Sequence, residues 1–202
     1  MAITPRQLEQ MQARLSGPKR APTPVFAGSY RASSDSRQII LGVDPSLRGT
    51  GFGVIQLARP HPRALAHGTI ACPLGWERSR CLAKIAQTLR DVTAKYHPAV
   101  CAVESLFYAQ NLQTALVMGE ARGAALAALA EAGLEIFEIA PRKVKQAVVG
   151  YGAAQKHAVG KMVQRLLQLP EPPSPDAADA LALALAYAHD NQRTFGAGAK
   201  RI

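Results

Sequence analysis

The chain has 202 residues, 48% of them hydrophobic, and a formal net charge of +10. That length can bury the core of one α/β domain. No apolar run is long enough to span a membrane, and the chain does not open with the apolar segment of a secretory signal. Cys72, Cys81 and Cys101 lack metal-ligand spacing, so we expect reduced thiols and a cytoplasmic protein. The positive charge indicates a polyanionic partner, either nucleic acid or an anionic membrane surface.

Residues 1–37 differ in composition from the rest of the chain. They hold six Lys or Arg against two Asp or Glu, together with several Pro, Gly and Ser. This composition predicts a basic and flexible extension. Within it, Thr4, Pro5 and Gln7 form a capping box that favours a short helix. We expect one folded domain over 38–190 and a short tail over 191–202.

The pattern from residue 38 onward predicts a single α/β domain. Three short apolar runs joined by turns come first and favour an antiparallel meander. A helix, a strand, an Ala-rich helix, another strand and two further helices follow. The predicted strands cover 38–43, 51–58, 63–72, 99–103 and 135–139, and the predicted helices cover 76–96, 113–133, 154–169 and 175–189.

Four acids stand where strands end or a helix begins. Asp44 and Glu104 each follow an apolar strand, and strand ends form the usual site for chemistry in an open α/β sheet. Asp176 follows a Ser-Pro helix start, so it can simply face the positive end of the helix dipole. Asp179 lies in a helical stretch, residues 177–186, that is otherwise only Ala and Leu, where an unpaired carboxylate is costly. Asp176 and Asp179 share one helix face because they are three residues apart.

Four converging acids without a nearby base require a cation. Oxygen ligands select hard divalent ions, Mg²⁺ or Mn²⁺. Two such ions are a standard arrangement for phosphodiester hydrolysis. An Asp after the first strand, a Glu after the fourth and a DxxD pair at the start of the last helix form an ordered set. This order is more specific than any single acid motif.

Five segments within residues 38–189 resemble the RuvC family of Holliday-junction resolvases. The segments are ILGVDPSLRGTGFGVI, AVESLFYAQN, GEARGAALAA, RKVKQAVVGYGAAQK and LPEPPSPDAADALALALA. The resemblance implies an RNase H-like fold with a mixed five-stranded sheet flanked by helices. It implies a homodimer that nicks opposed strands of four-way junction DNA during recombination and repair. It also implies two Mg²⁺ per site, replaceable by Mn²⁺, and a branch-migration helicase partner rather than a membrane.

The resemblance places the catalytic, metal-binding acids at Asp44, Glu104, Asp176 and Asp179. Family members usually begin at the first strand, so residues 1–37 have no counterpart and their role stays open.

A basic stretch without acids lies between Ile139 and Pro170. Such a run is often a solvated helix face, yet its excess of cations favours a surface that contacts DNA phosphates. Lys145 and Lys156 match family positions that are basic and bind DNA. The candidate DNA contacts here are Arg142, Lys143, Lys145, Lys156 and Lys161.

Three further side chains near the predicted site have open interpretations. Phe107 and Tyr108 follow Glu104 in a predicted loop, where they either pack on the core or stack against an unpaired base. The resemblance favours Phe107 as the residue that probes the junction, with Tyr108 as an added candidate. Arg48 is equally consistent with a phosphate contact and with an ordinary turn arginine.

The Ala-rich helix is the predicted dimer surface. Gly119, Gly123, Ala124 and Ala127 are small and spaced by three or four residues, which permits close helix approach. Leu116, Leu126 and Leu129 add apolar area. The alternative is that the helix packs only on its own sheet, but its composition predicts that both faces are buried.

Three other classes compete with a junction nuclease. An ATP-binding module of the actin and sugar-kinase type also opens with an acid at a strand end, but it needs a duplicated domain and a Gly-rich adenosine loop. A junction-binding protein without catalysis would be expected to lack one of the four acids. A different RNase H-like nuclease or transposase shares the same type of site, and the acids alone do not separate it.

Overall fold

The computed structural model describes residues 38–105, 111–192 and 200–202. The predicted N-terminal extension, with its short helix, lies outside the described residues. The strands are β1 Ile39–Asp44, β2 Gly49–Gln56, β3 Arg63–Ala71, β4 Val100–Glu104, β5 Glu135–Ile139 and β6 Lys200–Arg201. The helices are α1 Arg78–Tyr96, α2 Leu112–Glu131, α3 Pro141–Val149, α4 Lys156–Leu166 and α5 Pro175–Gln192.

The described strands form one mixed sheet in the order β3-β2-β1-β4-β5-β6. β1, β2 and β3 make the antiparallel meander that short turns predict, whereas β4 lies parallel to β1 and β5 lies parallel to β4. The sheet has six strands rather than the expected five, because β6 pairs antiparallel with Phe137 and Glu138 of β5. Lys200 and Arg201 are both basic and exposed, so they lack the alternation of apolar and polar residues that predicts a strand. They were therefore expected to belong to the C-terminal tail.

The two faces of the sheet carry separate apolar cores. One core joins the sheet to α3, α4 and α5, and the other joins it to α1 and α2. Helix α5 is buried from Ala177 to His189 except at the half-buried Asp179, as its nearly unbroken Ala and Leu composition predicts. No helix in the described part of the chain is long and apolar enough to cross a membrane.

Glycines let α5 rest directly on the sheet. A Cβ atom at Gly42 of β1 would overlap the carbonyl oxygen of Ala180, and one at Gly51 of β2 would overlap the carbonyl oxygen of Asp176. Any larger residue at these two positions would push the helix away. The first turn of α5 is thereby held against the end of β1 that carries Asp44.

Helix α3 lies where the sequence pattern predicts a loop, so that prediction is wrong. It is nine residues long and starts with Pro141 at its first position, a placement that proline favours. Its many cations were weighed as a binding surface, which hid the apolar positions Val144, Ala147 and Val148 that bury it against the core. Helix α5 continues to Gln192, and the domain boundaries at 37 and 190 stay predictions.

Candidate active site

Two acids meet where parallel strands end side by side. Asp44 is the last residue of β1 and Glu104 the last residue of β4. The two strands pair in parallel with Val43 beside Val103, so the acids are neighbours across the sheet. Because alternate residues face opposite sides of a strand, both side chains leave the sheet on the face covered by α3, α4 and α5.

A cavity of ≈150 Å³ opens at this edge of the sheet. Its acids are Asp44, Glu104 and Asp179, and its cations are Lys145 of α3 and Lys156 of α4. Pro141, Val144, Val159 and Leu183 complete the wall. The structure therefore gathers three of the four predicted acids and the two favoured lysines around one space.

Asp176 lies next to this cavity rather than in its wall. Its carboxylate packs near Gly49, where an added Cβ atom would come within 2.8 Å of Asp176 Oδ2. It still contributes to the field of the site, because its charge raises the pKa of Asp44. The two interpretations of Asp176, a metal ligand or an acid at a helix start, thus both remain compatible with its position.

The two strand-end acids hold their protons more tightly than usual. The pKa of Asp44 is raised to about 6, first by burial and then by the neighbouring Asp179 carboxylate, while Lys156 partly offsets the rise. The pKa of Glu104 is raised to about 7 by burial and then by Asp44 and Asp179, against the lowering effect of Lys156 and Lys145. Crowded, partly desolvated carboxylates of this kind favour any cation that enters between them.

The ammonium group of Lys156 already lies among these carboxylates. Lys156 Nζ donates to Asp179 Oδ2 at 2.8 Å. This hydrogen bond raises the pKa of Lys156, so the ammonium stays charged. The pair places a positive charge beside the acids and leaves Asp44 and Glu104 without a hydrogen-bond donor among the described side chains.

The donor set suits a hard divalent metal ion. Asp44, Glu104 and Asp179 offer carboxylate oxygens only, which is the ligand chemistry of Mg²⁺ and Mn²⁺. The repulsion between these carboxylates, which raises the pKa values of Asp44 and Glu104, also favours a bound cation. In the described residues, however, no three acid, His or Cys side chains are already arranged as a metal-binding group.

The other predicted DNA contacts divide into exposed cations and residues outside the described structure. Arg142 and Lys143 are exposed on α3, and Lys161 is exposed on α4, without lining the cavity. Phe107 and Tyr108 lie outside the described residues. Arg48 faces protein, because its Nη1 donates to the backbone oxygens of Pro73 and Trp76 at 2.7 and 3.1 Å.

Arg122 is a buried part of the site that sequence reasoning missed. It is only 6% exposed on α2, and its guanidinium donates to the backbone oxygen of Glu104 and to Glu138 Oε1. It thus ties the end of the strand that carries Glu104 to β5. The signal that could have found Arg122 is a charged residue within the small-residue run ARGAALAA of an Ala-rich helix.

Comparison with known proteins identifies the family. The family model described as crossover junction endodeoxyribonuclease RuvC matches residues 40–187. The chain belongs to the RuvC family. A RuvC from Akkermansia muciniphila is 47% identical over 148 residues, which span 73% of this chain and 89% of that protein. A RuvC from Rubrobacter xylanophilus is 40% identical over 166 residues, or 82% of this chain and 93% of that protein.

A solved relative shares the fold. The chain is similar to Thermus thermophilus RuvC in complex with a Holliday junction substrate, with a TM-score of 0.72 and 30% identity. The similarity covers 82% of this chain and 99% of the Thermus chain. The predicted resemblance and the RNase H-like fold class are therefore confirmed, and the chain is an endodeoxyribonuclease by family. This membership excludes the ATP-binding module considered above.

Proposed function

We propose that the protein is a Mg²⁺-dependent endonuclease that resolves four-way DNA junctions by paired, symmetric nicks during recombination and repair. The observation that carries the proposal is the single cavity lined by Asp44, Glu104 and Asp179 together with Lys145 and Lys156. A group of acids by itself suits a metal ion, and a pair of lysines by itself suits a phosphate group. Because both line the same cavity, together they suit the hydrolysis of a phosphodiester.

Each group in the cavity has a role in this proposal. Asp44, Glu104 and Asp179 hold the metal, with Asp176 as a fourth ligand at the start of α5. Two Mg²⁺, or Mn²⁺ in their place, would supply activation of water and stabilisation of the leaving oxygen. Lys145 and Lys156 bind the backbone phosphate of the strand to be cut. On binding, Lys156 exchanges its hydrogen bond to Asp179 for one to phosphate, which frees that carboxylate.

The decisive experiment compares three substrates. The protein is incubated with Mg²⁺ and, separately, a mobile four-way junction, a linear duplex of the same sequence, and ATP. We expect two nicks on opposed strands of the junction and negligible turnover of the other two. Binding without nicking would indicate a junction-binding protein, and nicking of the duplex at a similar rate would indicate a different RNase H-like nuclease.

Paired nicks require two active sites held by a two-fold axis, so we propose a homodimer. The outward side of α2 supports it: Leu112 and Leu116 are 76% and 58% exposed, and a Cβ atom at Gly123 would meet nothing within 4 Å. Leu129, which was expected to add to this surface, is instead fully buried in the core beneath α2. One face of α2 packs on the sheet within the chain, and burial of its other face by a second copy stays a prediction.

Sedimentation tests the dimer. Ala127→Arg places a charge on the exposed side of α2 and should produce monomers that bind junctions but do not resolve them. Ala94→Arg, an exposed position on α1, is the matched control and should stay dimeric. A wild-type protein that is monomeric at micromolar concentration, and remains so on junction DNA, would contradict the symmetric-cleavage proposal.

Several predictions from the resemblance complete the proposal. Phe107, with Tyr108 as the alternative, is proposed to stack on a base opened at the crossover. Arg142, Lys143 and Lys161 are proposed as phosphate contacts outside the cavity. A branch-migration helicase partner and a cytoplasmic location also stay predictions.

A further inference from the structure

The connection between β3 and α1, residues 72–77, lies at the same end of the sheet as the candidate active site. Asp44 of β1 pairs with Gly51 of β2, and Gly49 pairs with Ala71, the last residue of β3. The chain that leaves β3 is therefore two strand spacings, about 10 Å, from the strand that carries Asp44. We call residues 72–77 the β3–α1 loop.

Hydrogen bonds fix this loop to the turn that follows Asp44. The Cys72 amide donates to the Arg48 carbonyl at 3.0 Å, and the Arg48 side chain donates back to the carbonyls of Pro73 and Trp76. The Trp76 amide closes the loop by donating to Pro73 at 3.0 Å. The loop is thus held in a fixed position relative to the acids, and Arg48 acts as its structural clamp.

The surface that the loop presents is apolar and positively charged. Leu74 is 88% exposed at its tip. The Trp76 ring is covered by the Arg80 guanidinium, 3.9 Å from the ring centroid, and by Lys84 Nζ at 5.0 Å. Among the residues that the structure describes, neither Arg80 nor Lys84 forms an ion pair with an acid, although Lys84 donates to the Ala71 carbonyl at 2.9 Å.

The neighbouring charges leave this surface net positive. Arg78, the first residue of α1, is paired with Glu120 of α2 at 2.9 Å and is therefore compensated. Glu77 is the one acid within the loop itself. The surface therefore carries the cations Arg80 and Lys84 against the one acid Glu77. These charges lie beside an exposed leucine and a half-buried tryptophan.

We propose that the β3–α1 loop, with Arg80 and Lys84, is a second DNA contact that holds the duplex arm leaving the active site on the β3 side. A guanidinium that lies over an indole ring can still donate from its N–H groups to phosphate oxygens. Leu74 and Trp76 supply apolar contact to the sugars beside those phosphates. The proposal rests on the proposed function, because the ligand is the arm of the same junction.

Trp76 is the only tryptophan of the chain, so its fluorescence reports on this loop. The protein is titrated with a four-way junction in EDTA, which prevents cleavage. We expect a saturable change in emission and protection from acrylamide quenching. Both should have the midpoint measured independently by the anisotropy of a labelled junction.

Two exposed arginines, Arg80 on α1 beside the loop that follows β3 and Arg63 at the start of β3, give a matched pair of variants. Arg80→Ala should weaken junction binding about eightfold at 0.1 M salt and reduce the salt slope by about one, as the loss of one phosphate contact predicts. Arg63→Ala removes the same charge at the exposed far end of β3 and should leave both unchanged. Arg63→Ala should also leave the nicking rate at saturating junction unchanged, because Arg63 lies outside both the catalytic cavity and the proposed second contact.

Each outcome identifies what fails. If wild type neither binds nor nicks junctions, the proposed function fails. If it does both while Trp76 emission is unchanged and Arg80→Ala matches Arg63→Ala, the second contact is overturned and the proposed function stands. Emission that depends on protein concentration without DNA would mark the loop as an interface between copies and also overturn the proposal.

Discussion

On the face of the sheet covered by α1 and α2, arginines meet glutamates in pairs, whereas the face covered by α3, α4 and α5 gathers acids together. Arg78 pairs with Glu120, Arg90 with Glu131 and the buried Arg122 with Glu138. Across the sheet, Asp44 and Glu104 share a cavity in which their pKa values are raised to about 6 and 7. Lys156 offsets part of that repulsion by pairing with Asp179.

This difference separates charges that stabilise the fold from the acids that we propose hold the metal. Paired charges on the α1–α2 face satisfy one another, so they serve the fold and need nothing from outside. Crowded carboxylates on the other face destabilise the metal-free protein and become favourable only when a cation arrives. One strand shows both at once, because the Glu104 side chain enters the acid cavity while its backbone carbonyl is held from the opposite face by Arg122.

Removing one acid from the cavity should have the largest effect. Asp44→Asn, Glu104→Gln and Asp179→Asn should each slow junction nicking by on the order of 10³-fold or more, because metal-assisted charge stabilisation contributes several kcal/mol in the transition state. Junction binding should remain near normal or become tighter. Asp176→Asn, outside the cavity wall, should keep some activity. Single-turnover cleavage in Mg²⁺ measures these effects.

Glu120→Gln is the control on the opposite face, since it removes an acid from an exposed pair. Its nicking rate should match wild type. Full activity in Asp44→Asn or Glu104→Gln would remove the metal-site proposal.

Breaking the buried pair should have the next largest effect, this time on stability. Arg122→Met leaves the Glu104 carbonyl and Glu138 without their donor, and loss of one partner from a buried pair costs about 3 kcal/mol of unfolding free energy. Arg78→Met breaks an exposed pair and should cost at most about 1 kcal/mol. Urea unfolding of both variants makes the comparison, and equal losses would show that burial does not distinguish the two pairs.

The acid cavity should make metal-free stability depend on pH. Asp44 and Glu104 have raised pKa values in the folded state, so the folded protein binds more protons than the unfolded chain between about pH 4 and 7. Stability should therefore fall as pH rises through this range, by roughly 2 kcal/mol after allowance for solvent screening. Urea unfolding in EDTA at a series of pH values measures the fall.

Two comparisons isolate the cause of that pH dependence. The Asp44→Asn/Glu104→Gln double variant should lose most of the fall, because the titrating groups are gone. Mg²⁺ should flatten the wild-type curve by stabilising the ionised acids. A wild-type curve that instead rises from pH 4 to 7 and matches the double variant would contradict the raised pKa values.

A charged residue in apolar surroundings is the sequence signal for the three acids that the structure brings together in one cavity. Asp44 and Glu104 end apolar strands, and Asp179 interrupts an apolar helix. Arg122 carries the same signal, but the small residues around it in α2 favour a helix-packing surface instead. Strand β6 was beyond prediction, since Lys200 and Arg201 pair through backbone groups that leave no side-chain pattern.

Tertiary contacts decided the points that local pattern left open. Arg48 was ambiguous because a turn arginine and a phosphate contact have the same local sequence. Only the return of the β3–α1 loop shows that its side chain is committed to carbonyls. Asp179 lines the cavity whereas Asp176 lies beside it. Their spacing of three residues predicts a shared helix face but cannot show which of the two lines the cavity.

The smallest effect concerns one proposed phosphate contact, Lys145, which is compared with an exposed lysine on the opposite face of the sheet. Lys145 lines the cavity and lowers the pKa of Glu104, whereas Lys95 is exposed on α1 beside Tyr96. Lys145→Ala should weaken junction binding about eightfold at 0.1 M salt and reduce the salt slope by about one. Lys95→Ala should change neither, because α1 carries it away from the edge where the acids meet. Lys156→Ala is a less direct test, since it also leaves Asp179 without its donor. Anisotropy titrations at four salt concentrations measure the slopes, and identical slopes for Lys145→Ala and wild type would reduce Lys145 to a solvated surface cation.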